Sequence, residues 1–158
     1  MAKKATRAIP KGYHTVTPSL CIDGADRAME WYQKALGAER ISRFPSPDGK
    51  LMHGEISIGD SRVYVADPMM DAKDPKALGG SPVSLFVYVE NCDALYDQAV
   101  RAGATASMPV ADQFWGDRMG MFTDPFGYRW MIATRKEDLT PEEMATRGEE
   151  FFKRMGKP

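Results

Sequence analysis

The chain has 158 residues and a mass of 17.6 kDa, the size of one domain or of two very small ones. Hydrophobic residues make up 43% and charged residues 27%, a balance that excludes a disordered chain. Lys plus Arg number 21 against 22 Asp plus Glu, so the net charge of −1 argues against a nucleic-acid partner, and no apolar run is long enough for a membrane span.

Residues 1–12 read as a flexible arm, with Lys3, Lys4, Arg7 and Lys11 and no acid before Asp23. A solvated tail and a contact with an anionic partner both fit it, and without an apolar run it is not a secretory signal. His14 to Ile22 then reads as a strand, bounded by Asp23-Gly24. Ala25 to Leu36 reads as a helix, because Ala25, Ala28, Met29, Tyr32, Ala35 and Leu36 recur at helical spacing and Gly37 stops it. A stretch from Ala38 to about Phe44 leads to a turn at Ser46-Pro47-Asp48-Gly49. Leu51 to Ile58 and Arg62 to Ala66 are strands around a Gly59-Asp60 turn.

Residues 68–82 are rich in turn formers and read as a linker. The order then begins again. Val83 to Val89 is a strand. Asn91 to Ala102 is a helix with Cys92, Leu95, Ala99 and Ala102 on one face. Strands follow near Ala104–Val110, Arg118–Thr123 and Tyr128–Thr134, the last two joined by the turn Asp124-Pro125-Phe126-Gly127. The two helices superimpose, Ala25 on Cys92, Ala28 on Leu95, Tyr32 on Ala99 and Ala35 on Ala102. Gly37-Ala38 falls on Gly103-Ala104 one residue earlier than that superposition. The chain is therefore a repeat of strand–helix–strand–strand–strand.

Residues 136–158 form a helical extension. Thr140-Pro141-Glu142-Glu143 supplies an N-cap, a proline at the first helical position and a glutamate three residues after the cap. Met144, Phe151, Phe152 and Met155 give it an apolar stripe, to be buried on its own chain or on a partner. Cys21 and Cys92 lie far apart in sequence, which suits packing residues in a reduced compartment and hence a cytoplasmic protein.

The stretches VTPSLCIDGADRAMEWYQKALGAE, MHGEISIGDSRVYVADP, LGGSPVSLFVYVENCDALYDQAVRAGA and DQFWGDRMGMFTDPFGYRWMIATRKEDLTPEEM cover roughly 16–144. Together they resemble the vicinal-oxygen-chelate superfamily of glyoxalase, bleomycin-resistance and extradiol-dioxygenase proteins. The resemblance is to its PhnB-like branch, also labelled 3-demethylubiquinone methyltransferase-like. It implies an α+β fold of two tandem βαβββ modules (about 14–67 and 83–135, one domain over 13–135). Their curled mixed sheets would surround a concave cavity. It also implies a homodimer and a small-molecule ligand.

Metal-dependent members hold a divalent ion with four side chains, usually His and Glu. Counting from the matching motifs, these positions fall at Thr17, Glu55, Ser84 and Met131. Threonine, serine and methionine are poor ligands for zinc, iron or manganese, so no cofactor is expected. His14 falls on the opposite face of its strand. His53 and Glu55 share a face at i and i+2. They are the candidate catalytic pair if the protein is instead a superfamily enzyme of lyase, epimerase or dioxygenase type, serving as acid and base or as a partial divalent-metal site, and the only candidate metal ligands. His53 also suits a structural hydrogen bond or an anionic ligand.

Strand alternation gives the remaining cavity lining. Val16, Pro18, Leu20 and Ile22 suit the helix-covered face, leaving Thr17, Ser19 and Cys21 toward the ligand. Val83, Leu85, Val87 and Val89 suit the core, leaving Ser84, Phe86 and Tyr88. Trp130 and Ile132 suit the core, leaving Arg129, Met131 and Ala133. Trp115 is positioned to stack on a planar ligand and Arg118 to hold an anion; equally, Asp112, Asp117 and Arg118 read as a structural ion-pair and turn network. Phe86 and Met131 alternatively fill a collapsed core. The expected ligand is aromatic or amphipathic. No nucleophile elbow, phosphate loop or Cys-x-x-Cys motif is present.

Overall fold

The computed structural model describes residues 1–156, so Lys157 and Pro158, the end of the expected C-terminal extension, lie outside the described residues. The chain divides into two compact units, Met1–Gly80 and Ser81–Pro158. The fold is α+β: two βαβββ modules, each a four-stranded mixed sheet with a helix, followed by a C-terminal helix.

In the first unit β1 (Ser19–Cys21), α1 (Ala25–Leu36), β2 (Glu39–Pro45), β3 (Leu51–Ile58) and β4 (Ser61–Ala66) build a sheet of order β1-β4-β3-β2. β1 runs parallel to β4, and the other pairs are antiparallel. The six apolar residues that define the face of α1 are the ones it buries. Met29 lies over β3 so closely that a Cβ on Gly54 would meet its sulfur at 2.6 Å. Close packing therefore demands glycine at position 54.

A short helix, α2 (Pro75–Leu78), ends the first unit, and the second unit repeats the plan. β5 (Ser84–Tyr88), α3 (Cys92–Arg101), β6 (Thr105–Asp112), β7 (Asp117–Thr123) and β8 (Arg129–Arg135) give the order β5-β8-β7-β6. Gly120 on β7 is to α3 what Gly54 is to α1: an added Cβ would meet the Tyr96 ring at 2.9 Å. Trp130, Phe122 and Ile132 are fully buried, each burial contributing about 1.5–3 kcal/mol. Asp124, itself buried, accepts the N–H groups of Phe126 and Tyr128 and the indole N–H of Trp130, which closes the turn between β7 and β8.

α4 (Pro141–Met155) starts with a complete capping box between Thr140 and Glu143. It docks on its own unit: Phe151 stacks on Phe114 with ring centroids 5.0 Å apart, and Gly148 is buried beside the same ring. Phe152 and Met155 stay exposed.

Several expectations need correction. The first strand is three residues long rather than nine, because Pro18 has no N–H for the ladder with β4, and Val16 before it is exposed. Val83 is also exposed, lying one residue ahead of β5. Ala133 is fully buried, its methyl set between the longer side chains of its register partners Tyr88 and Met119. Tyr96, absent from the expected face of α3, is buried there, while Leu95 and Ala102 are half-buried. The stretch 68–82 contains α2, capped by Asp74 and opened by Pro75. In each sheet the outer strand after the helix carries irregular pairing next to a proline, β2 at Phe44/Pro45 and β6 between Met108 and Ala111 around Pro109. No helix among the described residues is long and apolar enough to cross a membrane.

Candidate functional site

Each helix covers one face of its sheet. On the uncovered face of the first sheet, the register sets Ser19, Tyr64, Glu55 and Ser42 side by side across the four strands. His53 stands two residues along from Glu55, and its Nε2 lies 3.3 Å from Glu55 Oε1. The His53 and Tyr64 rings meet edge to face at 4.7 Å. Tyr13 folds over this row, its ring 6.1 Å from that of Tyr64 and 5.8 Å from the Arg62 guanidinium carbon.

The Tyr13 hydroxyl donates to Glu55 and holds its carboxyl below the ordinary carboxylate range. Burial opposes this, while hydrogen bonds from His53 and Ser42 add to it. Burial and the same contact raise the Tyr13 hydroxyl. An ionised Glu55 that already accepts from three side chains is better suited to orienting His53 than to taking a substrate proton itself. Thr17 is half-buried ahead of β1 and Ser19 is exposed on it. Cys21 is half-buried, and burial, with Asp74 and Asp67 nearby, raises its thiol, which makes it a poor nucleophile. His14 lies apart, 3.9 Å from Asp60 at the surface.

The uncovered face of the second sheet differs in character. Phe86, Met131, Met121 and Met108 form one row across its four strands, with Tyr88, Ala133 and Met119 in the next. Phe86 and Tyr88 are exposed at 41% and 59%, their ring centroids 4.9 Å apart. The Tyr88 hydroxyl donates to Asp117 Oδ2 at 2.9 Å, and the Trp115 indole N–H donates to the same oxygen at 3.0 Å. The Arg135 guanidinium lies 3.5 Å from the other oxygen. The hydrogen bond to Asp117 and burial raise the Tyr88 hydroxyl, with Arg135 opposing them. Ser84 is exposed and pairs with Arg129.

Arg118 is placed differently. Its guanidinium forks onto Asp93 in the first turn of α3 at 2.7 and 2.8 Å and reaches Asp112 at 3.1 Å, on the helix-covered side. The second unit thus brings Phe86, Tyr88, Trp115 and Met131 together and leaves Arg118 out. Sequence reasoning missed Tyr13, Ser42 and Tyr64, and placed Asp117 only in a structural network with Asp112 and Arg118. Alternation from Glu55 would have found Ser42 and Tyr64 once the register was known, whereas nothing in the sequence marked Tyr13.

The four positions at which the resemblance would put metal ligands do not fit a divalent ion. Thr17 and Ser84 offer neutral hydroxyls, Met131 a thioether within an apolar row, and Glu55 is already engaged by its own neighbours. Among the described residues no group of three His, Cys, Asp or Glu could hold a metal ion.

Residues 13–132 match the family model of the Glyoxalase/Bleomycin resistance protein/Dioxygenase superfamily. The uncharacterized protein Rv0887c of Mycobacterium tuberculosis is 37% identical over 134 residues, covering 82% of this chain and 79% of the relative. Among solved structures, TioX from a Micromonospora species aligns with a TM-score of 0.63 at 24% identity, covering 80% of this chain and all of TioX. A PhnB protein of Bacillus cereus aligns at 0.60 and 18%, covering 77% of this chain and 99% of its own. At these identities the two structures establish likeness of fold.

Proposed function

The chain belongs to the glyoxalase/bleomycin resistance protein/dioxygenase superfamily, and from that membership we propose that it is a small-molecule-binding protein that works without the usual divalent metal. The ligand is aromatic or amphipathic. The observation that carries this reading is the pair of exposed rings, Phe86 and Tyr88, standing beside Met131 on a sheet face that no helix of their unit covers. Exposed aromatic rings beside a half-buried thioether have hydrophobic surface to gain from a ligand. The proposed setting is a cytoplasmic homodimer with no nucleic-acid or membrane partner, in keeping with two unbridged cysteines and a balanced charge.

A second reading is favoured by the His53–Glu55 contact. There the protein is an enzyme in which His53, oriented by Glu55, moves a proton without metal.

Calorimetry with a panel of small aromatic and amphipathic molecules, combined with NMR of the recovered ligand, separates the two. Binding that weakens in Phe86→Ala, with the ligand returned unchanged, supports the first reading. Product formation that stops in His53→Ala supports the second. Near-stoichiometric metal in protein purified without chelator, lost in His53→Ala, would overturn the metal-free reading.

A further inference from the structure

The uncovered face of the second sheet has a polar end. Two residues before the row of Phe86 and Met131, the register pairs Ser84 with Arg129. Arg129 is exposed, and among the described residues its guanidinium has no ion pair or hydrogen bond. The polar groups nearer the other end are engaged: the Tyr88 hydroxyl and the Trp115 indole N–H donate to Asp117, and Arg135 pairs with it. What the face offers a ligand is therefore a ring and a row of thioethers, with one unpartnered cation about 7 Å along the strand. Thioethers contact aromatic ring edges favourably, and a guanidinium takes a carboxylate in two parallel hydrogen bonds.

We infer that this face takes a planar aromatic carboxylate, its ring on Phe86 and Met131 and its carboxylate on the Arg129 guanidinium. The inference rests on the small-molecule-binding reading and narrows its ligand to one chemical class. An uncharged aromatic of the same shape leaves Arg129 without a partner. An aliphatic acid leaves Phe86 without a ring to stack on.

The test is titration calorimetry of the full chain with 2-naphthoate, with 2-naphthamide and with cyclohexanecarboxylate. We expect 2-naphthoate to bind, and 2-naphthamide to bind about tenfold more weakly, the effect of losing one charge-assisted contact. Arg129→Gln should bring 2-naphthoate down to the level of 2-naphthamide, and Arg129→Lys should restore part of the difference. Arg129 is exposed, so both variants keep the fold, checked by their melting temperatures. Equal affinity for 2-naphthoate and 2-naphthamide, unchanged in Arg129→Gln, overturns the inference and leaves the small-molecule reading standing. Absence of binding by all three probes also overturns it, and a hit for any other molecule in the wider panel shows that the broader reading survives. If Phe86→Ala turns a dimer into a monomer on size-exclusion chromatography without altering 2-naphthoate affinity, the face is an interface between copies and the inference is wrong.

Discussion

The Asp67 carboxylate caps α1 from forty-odd positions further along the chain, accepting the N–H of Gly24 at 2.8 Å and that of Ala25 at 3.3 Å. Gly24 occupies the N-cap position and has no side chain to offer. The other oxygen of Asp67 accepts the N–H of Leu51 at 2.7 Å, so one carboxylate ties α1, the start of β3 and the end of β4 together. Asp67→Ala should cost about 2–3 kcal/mol and Asp67→Asn distinctly less, since an amide oxygen still accepts. Urea unfolding measures both, and equal losses would mean that the carboxylate has no special role.

Asp117 holds the aromatic face of the second sheet in place. Its side chain is almost fully buried and accepts from Tyr88 and Trp115. Asp117→Ala should destabilise the protein by about 3 kcal/mol, because two donors lose their partner. Trp115 fluorescence should report the change at temperatures where the fold persists, and ligand affinity should drop as the Tyr88 ring gains freedom.

The Tyr13–Glu55 contact predicts a pH dependence. Glu55 titrates below its ordinary range in the folded chain, so its ionised form stabilises the fold. That contribution is present at neutral pH and down to the ordinary glutamate pKa. It is lost as pH falls further, through the folded-state value. Tyr13→Phe should move the Glu55 titration upward in carbonyl-detected NMR. It should also lower stability at pH 7 by about 1 kcal/mol, with the gap from wild type closing in acid.

Gly116 has φ +94, and a Cβ there would meet the Glu137 carbonyl oxygen at 2.6 Å. The same oxygen-bearing segment anchors α4, since Glu137 pairs with Arg147. Gly116→Ala should cost at least about 2 kcal/mol, with strain and clash adding. Gly49→Ala, at φ +84 with nothing within 4 Å, should cost about 1 kcal/mol. Thermal unfolding of the two variants side by side tests whether the difference comes from the crowding.

Much of the fold was legible because its determinants are local. α1 was readable to the residue, since its apolar spacing and Gly37 both lie inside the segment. The repeat extended the same reading to the second unit. The first strand was misjudged because its length depends on a ladder with β4, forty-five residues on, and on the missing N–H of Pro18. Tyr96 escaped notice because its burial follows from the space above Gly120, a long-range fit. The site was legible in the same measure. His53 and Glu55 were found by alternation on one strand, whereas Tyr13, Ser42 and Tyr64 join them only through tertiary contacts and cross-strand register. For Arg118 the structural ion-pair reading holds through Asp112, whereas Asp93, its closer partner, sits on a different element and was not foreseen.

On one edge of each sheet the outer strand, β2 or β6, carries a proline where its pairing slips, Pro45 in one and Pro109 in the other. An incoming strand from another molecule needs an unbroken row of N–H groups on a flat edge, and at these positions there is neither. Both repeats thus carry the same safeguard against edge-to-edge polymerisation on one of their two edges, the strand that follows the helix. A chain that displays exposed rings and thioethers on its sheet faces has particular need of it, because apolar surface draws molecules together and an open edge would let them fuse into fibres.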